Sequence, residues 1–264
     1  MRTDVLDIEA FYDSALGQTT ASYVSARLEQ AWGSAEGLRV ASFGYGQPYL
    51  PVFSAAERCL SLLPEGMGVS AGAAANHACL TSDVYWPLPD ASMDRVLIVH
   101  GLEEAAAPRR LLREVWRVLA DDGRLIIVVP NRRGPWAMIE TTPFSAGRPY
   151  LRVQLDRLLK SAMFTPAAHS SALYFPPLDM GFLLRASRAW ERAGEYMWSA
   201  LAGVTLVEAV KEIAIPAGGT KADVLQPRLL RPATTRRSAR SLHPVGDRAT
   251  SPQGSGVIVK PGKT

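Results

Sequence analysis

The segment Pro87–Gly134, PLPDASMDRVLIVHGLEEAAAPRRLLREVWRVLADDGRLIIVVPNRRG, reads as one strand–helix–strand unit and constrains the fold more than any other part of the chain. Arg95–His100 (RVLIVH) and Arg124–Pro130 (RLIIVVP) are short runs of β-branched and aliphatic residues, the pattern of strands buried on both faces of a parallel sheet. Between them Leu111, Leu112, Val115, Trp116 and Leu119 recur at helical spacing. Pro108 suits the first turn of that helix, and Asp121-Asp122-Gly123 supplies a glycine stop. A right-handed crossover then brings the carboxyl ends of both strands to one edge of the sheet. Ligands of such sheets bind outside the carboxyl ends, which makes His100, Glu103, Glu104 and Asn131 candidate functional residues.

The flanking sequence extends this architecture. Asp7–Trp32 predicts one or two amphipathic helices with a break near Gly17, and Phe11, Tyr12, Leu16, Tyr23, Leu28 and Trp32 are its packing residues. A first strand over Leu38–Phe43 runs into Gly44-Tyr45-Gly46-Gln47-Pro48, with a helix expected over Pro51–Arg58. Cys59–Leu63 and Ala78–Thr81 read as the second and third strands. Further on, a helix is expected over Arg152–Ala162, a strand over Ala172–Phe175, a helix over Ser187–Leu201 and a final strand over Val204–Ala214. The fold class is α/β, Rossmann-like, with a mostly parallel central sheet and helices on both faces. Three regions follow: N-terminal helices over residues 1–36, the α/β domain over 37–215, and a tail over 216–264.

Charge separates the tail from the body. Residues 216–264 carry nine Lys or Arg against two Asp, leaving twenty basic and twenty-three acidic residues for the remainder. The tail is rich in Pro, Gly, Ser, Thr and Arg, and a composition so poor in apolar residues predicts a largely disordered segment. Arg236, Arg237 and Arg240 are its candidate contacts with RNA or an acidic partner protein, and the alternative is a merely solvated extension. No apolar run approaches the roughly 18 residues that span a bilayer, and the N-terminus lacks the apolar stretch of a signal peptide, so a cytoplasmic protein without a membrane segment is expected. The two cysteines, Cys59 and Cys79, lie in apolar runs without metal-ligand spacing, and neither a disulfide nor a metal site is expected.

Taken together, GYG after the first strand, Asp83 after the third, and the PLPDASMDRVLIVHGLEE and LLREVWRVLADDGRLIIVVPN segments resemble class I S-adenosylmethionine-dependent methyltransferases. The nearest resemblance is to the type 11 methyltransferase-domain group, in its alphaproteobacterial-like members, and it covers about Ala10 to Ala214. It implies S-adenosylmethionine as cofactor. It also implies that Gly44, Tyr45 and Gly46 approach the methionine part, that Glu65 substitutes for the ribose-binding acid, and that Asp83 serves the adenine amino group with Val84 or Tyr85 along the ring; a surface-turn glutamate and a turn-starting aspartate are the alternatives for the two acids. Two departures stand out: Ser42 occupies the position of the loop's acid and Pro48 that of its third glycine, while Leu62 and Leu63 stand where the ribose acid belongs.

On the acceptor side His100 is the candidate general base, with a structural histidine as the alternative. Glu103 is a candidate substrate contact, with helix capping as the alternative; Asn131, Arg132 and Trp136 are candidate substrate contacts in an aromatic and cationic lid, with a merely solvated loop as the alternative. The acceptor is unidentified. No Asn-Pro-Pro-Tyr or Asp-Pro-Pro-Tyr tetrad follows the fourth strand, which disfavours amino-group methylation by that route. Besides methyl transfer, the same residues allow a methyltransferase-like binding or scaffold protein. A nucleotide-dependent oxidoreductase is disfavoured by the missing third glycine.

Overall fold

The computed structural model describes residues 3–69, 78–197 and 199–213. The chain divides into two units, Met1–Leu230 and Arg231–Thr264, and all the described residues belong to the first, so the expectations for Arg236, Arg237 and Arg240 lie outside them. No described helix is long and apolar enough to cross a membrane.

Two helices open the unit, α1 (Val5–Asp13) and α2 (Ala15–Trp32). They part at Ser14 rather than near Gly17, because Ser14 serves both: its Oγ donates to the Phe11 carbonyl and accepts from the Gly17 N–H at 3.0 Å. Gly17 instead lets the two helices approach, since a Cβ there would overlap the Phe11 carbonyl oxygen. Asp4 caps the start of α1 by accepting the Leu6 N–H.

Seven strands follow: β1 (Arg39–Gly44), β2 (Arg58–Pro64), β3 (Ala78–Thr81), β4 (Met93–Val99), β5 (Leu119–Pro130), β6 (Phe164–Ala172) and β7 (Val204–Lys211). They form one sheet in the order β3–β2–β1–β4–β5–β7–β6. Strand β7 alone is reversed relative to the other six, pairing antiparallel with both β5 and β6. Side chains alternate between faces, as strand geometry requires. Val40, Leu97, Val99, Ile126, Val128 and Leu206 meet the N-terminal helices, and Ala41, Phe43, Val96, Ile98, Ile127 and Val207 meet the opposite layer. That layer holds α3 (Pro108–Val118) and α4 (Arg152–Ser161), whereas α5 (Gly181–Met197) contacts α2. The α/β class with helices on both faces is therefore observed.

Four local expectations are corrected. The helix expected over Pro51–Arg58 is a single 3₁₀ turn, Leu50–Phe53, because β2 already begins at Arg58 and the Glu57 N–H donates to the Leu38 carbonyl. Helix α3 ends at Val118, before the Asp121-Asp122-Gly123 stop. Pairing jumps from Met93 with Leu119 to Arg95 with Arg124, so these residues form an irregular start to β5. The strand expected over Ala172–Phe175 lies at Phe164–Ala172, a polar edge strand (FTPAAHSSA) that pairs only with β7. Helix α5 starts six residues before the expected Ser187 and ends at Met197, with a short 3₁₀ turn over Ser199–Leu201.

Two positive-φ glycines separate backbone strain from lack of space. Gly33 has φ +60° with open space around its missing Cβ, whereas Gly44 has φ +87° and a Cβ there would overlap the Val99 carbonyl oxygen. Gly33→Ala should cost about 1–3 kcal/mol and Gly44→Ala more than about 4 kcal/mol, read by chemical denaturation. Equal losses would contradict the packing at the end of β1.

Candidate functional site

The carboxyl ends of β3, β2, β1 and β4 lie side by side at one edge of the sheet, and the glycine loop leaves β1 there. At Gly44 the chain turns across β4, and the Tyr45 N–H donates to the Val99 carbonyl at 2.8 Å. A Cβ on Gly46 would lie 2.5 Å from the Ser42 Cβ. Ser42 itself is fully buried, its Oγ 3.4 Å from the Leu60 carbonyl. The position expected for an acid thus carries a neutral hydroxyl sealed beneath the loop.

Helix α1 covers this loop. Tyr12 stacks on Tyr45 with ring centroids 5.6 Å apart, and its hydroxyl lies 2.7 Å from the Tyr49 hydroxyl and 2.9 Å from His100 Nε2. Phe144 closes the far side, 4.6 Å from the imidazole and 6.2 Å from Phe11. His100 follows β4 at φ +52° and is 2% exposed. The N-terminus is tied down on both flanks: the Thr3 N–H and hydroxyl donate to the Glu104 carboxylate, and the Val5 N–H donates to the Met67 carbonyl.

Burial sets the protonation of the cluster. Desolvation lowers the His100 pKa to about 3, so the imidazole is neutral. Burial raises the Tyr12 and Tyr49 hydroxyls well above their ordinary value and pushes Tyr45 up to about 12. Glu103 Oε1 lies 3.7 Å from His100 Nδ1, beyond hydrogen-bonding distance. With Nε2 unprotonated, the Tyr12 hydroxyl donates to it and the Tyr49 hydroxyl donates to Tyr12. A base in this state is too weak for proton transfer near neutral pH, where a catalytic pKa close to the working pH is needed.

The other candidates are distributed unevenly. Glu65 is exposed just past β2, Asp83 is half-buried after β3, and Val84 is exposed beside it. These three share the carboxyl edge with Gly44. Glu103 is buried against His100, and its carbonyl accepts the Arg148 N–H. Asn131 spends its amide on the chain, donating to the Ala200 and Ala202 carbonyls. Arg132 is exposed. Trp136 is fully enclosed, its indole N–H donating to the Phe175 carbonyl at 2.8 Å, so it belongs to the packing under the loop rather than to a surface lid. Tyr49 and Phe144 were not among the expected site residues, and the sequence places neither near His100. Among the described residues no cluster of His, Cys, Asp and Glu could hold a metal ion.

With strand order β3–β2–β1–β4–β5–β7–β6 and β7 reversed, this is the class I S-adenosylmethionine-dependent methyltransferase fold. Within it, residues 47–127 match a family described as a methyltransferase domain, the type 11 group. The match begins just past Gly46. A solved methyltransferase from Thermotoga maritima is similar at 19% identity and TM-score 0.51, over 78% of this chain and 92% of that one. One from Aquifex aeolicus is 14% identical with TM-score 0.50, over 79% of this chain and 98% of that one. One from Archaeoglobus fulgidus is 18% identical with TM-score 0.50, over 71% and 93%. No curated protein sequence matches the chain.

The matched family implies S-adenosylmethionine, and with α1 in place the glycine loop is covered rather than open to it. The spaces left by the absent Cβ atoms of Gly44 and Gly46 face the chain's own Val99 and Ser42, and Tyr12 lies against Tyr45.

His100 carries a pH signature. Its folded pKa, about 3, lies below the unfolded value of about 6.5. The unfolded chain therefore takes up a proton that the folded chain refuses, and this contribution to stability is full above about pH 6.5 and lost as the pH falls toward the folded value. Between about pH 7 and about pH 5 the native protein should lose roughly 1–2 kcal/mol more stability than His100→Gln. Equal losses in denaturation experiments would show that His100 is accessible to protons in the fold.

Proposed function

We propose that this domain binds S-adenosylmethionine at the carboxyl edge of β1, β2 and β3 and transfers its methyl group to an acceptor, after α1 has moved off the glycine loop. The observation that carries this reading is the position of Gly44-Tyr45-Gly46. The loop sits at the topological switch point, where the crossovers from β1 lead to β2 on one side and β4 lies on the other, the place where open α/β sheets bind ligands. The half of the edge over β2 and β3 presents Glu65 and Val84 to solvent, whereas α1 closes the half over β1 and β4. Entry of the cofactor thus depends on breaking the contacts of Tyr12. The residues that hold this helix in place, rather than those that would touch the ligand, set the apparent affinity.

A conformational requirement of this kind reduces apparent affinity by the fraction of molecules that are open. Titration calorimetry with S-adenosylmethionine, or its demethylated product, on the native chain and two variants tests it. Tyr12→Phe removes the hydroxyl from the chain of hydrogen bonds, and Glu104→Ala releases Thr3 without touching the core. Both variants should bind roughly tenfold more tightly than the native chain. Absence of heat in all three proteins at about millimolar ligand would overturn the reading.

A further inference from the structure

The half of the sheet farthest from the glycine loop contains a cavity of about 350 Å³ between the carboxyl ends of β5 and β6, the start of β7 and the start of α4. That volume lies at the small end of the range for ligand pockets. Its wall includes Arg133, Arg152, His169, Ser170 and Thr205 and, among the described residues, no carboxylate. From this lining we infer a second binding site, for a small molecule bearing a phosphate or carboxylate group. The inference goes beyond the methyltransferase reading and does not depend on it.

Charge compensation is the first reason. Arg133 and Arg152 are exposed and, like several other surface arginines, have no ion pair among the described residues, whereas Arg27, Arg39, Arg117 and Arg124 each pair with a carboxylate. Asp156 on α4 is engaged by the wall residue His169, whose Nε2 lies 2.7 Å from its carboxylate. Two arginines therefore line one concavity without an ion-pair partner among the described residues. A guanidinium fork matches the paired oxygens of carboxylate and phosphate, which makes such groups the complement of this wall.

Backbone anchoring is the second reason. Arg133 follows the clamp made by Asn131, whose Oδ1 accepts the Arg133 N–H at 3.2 Å while Nδ2 donates to the Ala200 and Ala202 carbonyls. Arg152 is the first residue of α4, where the Gln154 side chain accepts the Leu151 N–H at 3.1 Å. His169 is held by Asp156. The two arginines thus project from fixed backbone, which lowers the ordering cost of binding. Hydroxyls of Ser170 and Thr205 supply neutral donors to the same space. The role of Asn131 follows: it positions Arg133.

Titration of isotope-labelled protein with inorganic phosphate, and separately with citrate, tests the site by amide chemical shifts at constant ionic strength set with sodium chloride. No S-adenosylmethionine is present, so failure here is independent of failure of the methyltransferase reading. Saturable shifts at Ser170, Ser171 and Val153 are expected with at least one of the two anions, and which one responds identifies the group recognised. The exposed double variant R133A/R152A should bind that anion at least roughly tenfold more weakly, with the remaining spectrum unchanged. Asn131→Ala should weaken it by a smaller factor while leaving both arginines in place. Shifts that rise linearly without saturation for both anions, or equal affinity in the double variant, would overturn the site.

Discussion

One buried hydroxyl joins three parts of the chain that are far apart in sequence. The Tyr12 side chain belongs to α1, yet its hydroxyl meets Tyr49 beyond the glycine loop and His100 beyond β4, while its ring lies on Tyr45. Everything at the carboxyl edge of β1 and β4 depends on this contact, including the neutrality of His100 and the enclosure of the loop. Each buried hydrogen bond contributes about 1 kcal/mol net, and an aromatic pair about 0.5–1.5 kcal/mol. Releasing the tyrosine therefore costs about 2–4 kcal/mol. A ligand bound at micromolar strength gains about 8 kcal/mol, so the closure is strong enough to define the resting state and weak enough for a cofactor to reverse.

How far sequence reaches into this structure follows from what kind of signal each element carries. The unit β4–α3–β5 was legible because its strands are apolar on both faces and its helix places Leu111, Leu112 and Val115 on one side. Strand β6 was not, since an edge strand with His169, Ser170 and Ser171 has no apolar run to announce it. The turn at Ser14 was displaced toward Gly17 because a glycine in sequence does not tell conformational freedom from close packing. For the site, topology alone puts Gly44, Glu65, Asp83 and His100 at one edge. The burial of His100 was not readable, because a helix some ninety residues upstream supplies it. Phe11 and Tyr12 were recognisable as packing residues, but not the surface they pack against.

The loop after β5 divides its residues by chemistry. Trp136 turns inward onto Phe144 and Phe175, and its indole N–H finds the Phe175 carbonyl. Arg132 and Arg133 turn outward. Asn131 makes this division possible by fixing the first turn of the loop to Ala200 and Ala202. The aromatic and cationic residues that look like one feature in sequence therefore serve two surfaces, one sealing the edge around His100 and one lining the cavity near α4. The sheet separates these surfaces, since β5 and β7 stand between β4 and β6.

Hydrogen exchange of the native chain, with and without S-adenosylmethionine, tests the central claim that α1 closes a cofactor edge. Binding should make the amides of Val5–Asp13 exchange faster while those of Gly44–Tyr49 exchange more slowly, a reciprocal change within one titration. Ligand binding that protects the glycine loop while α1 stays as protected as before would contradict the account.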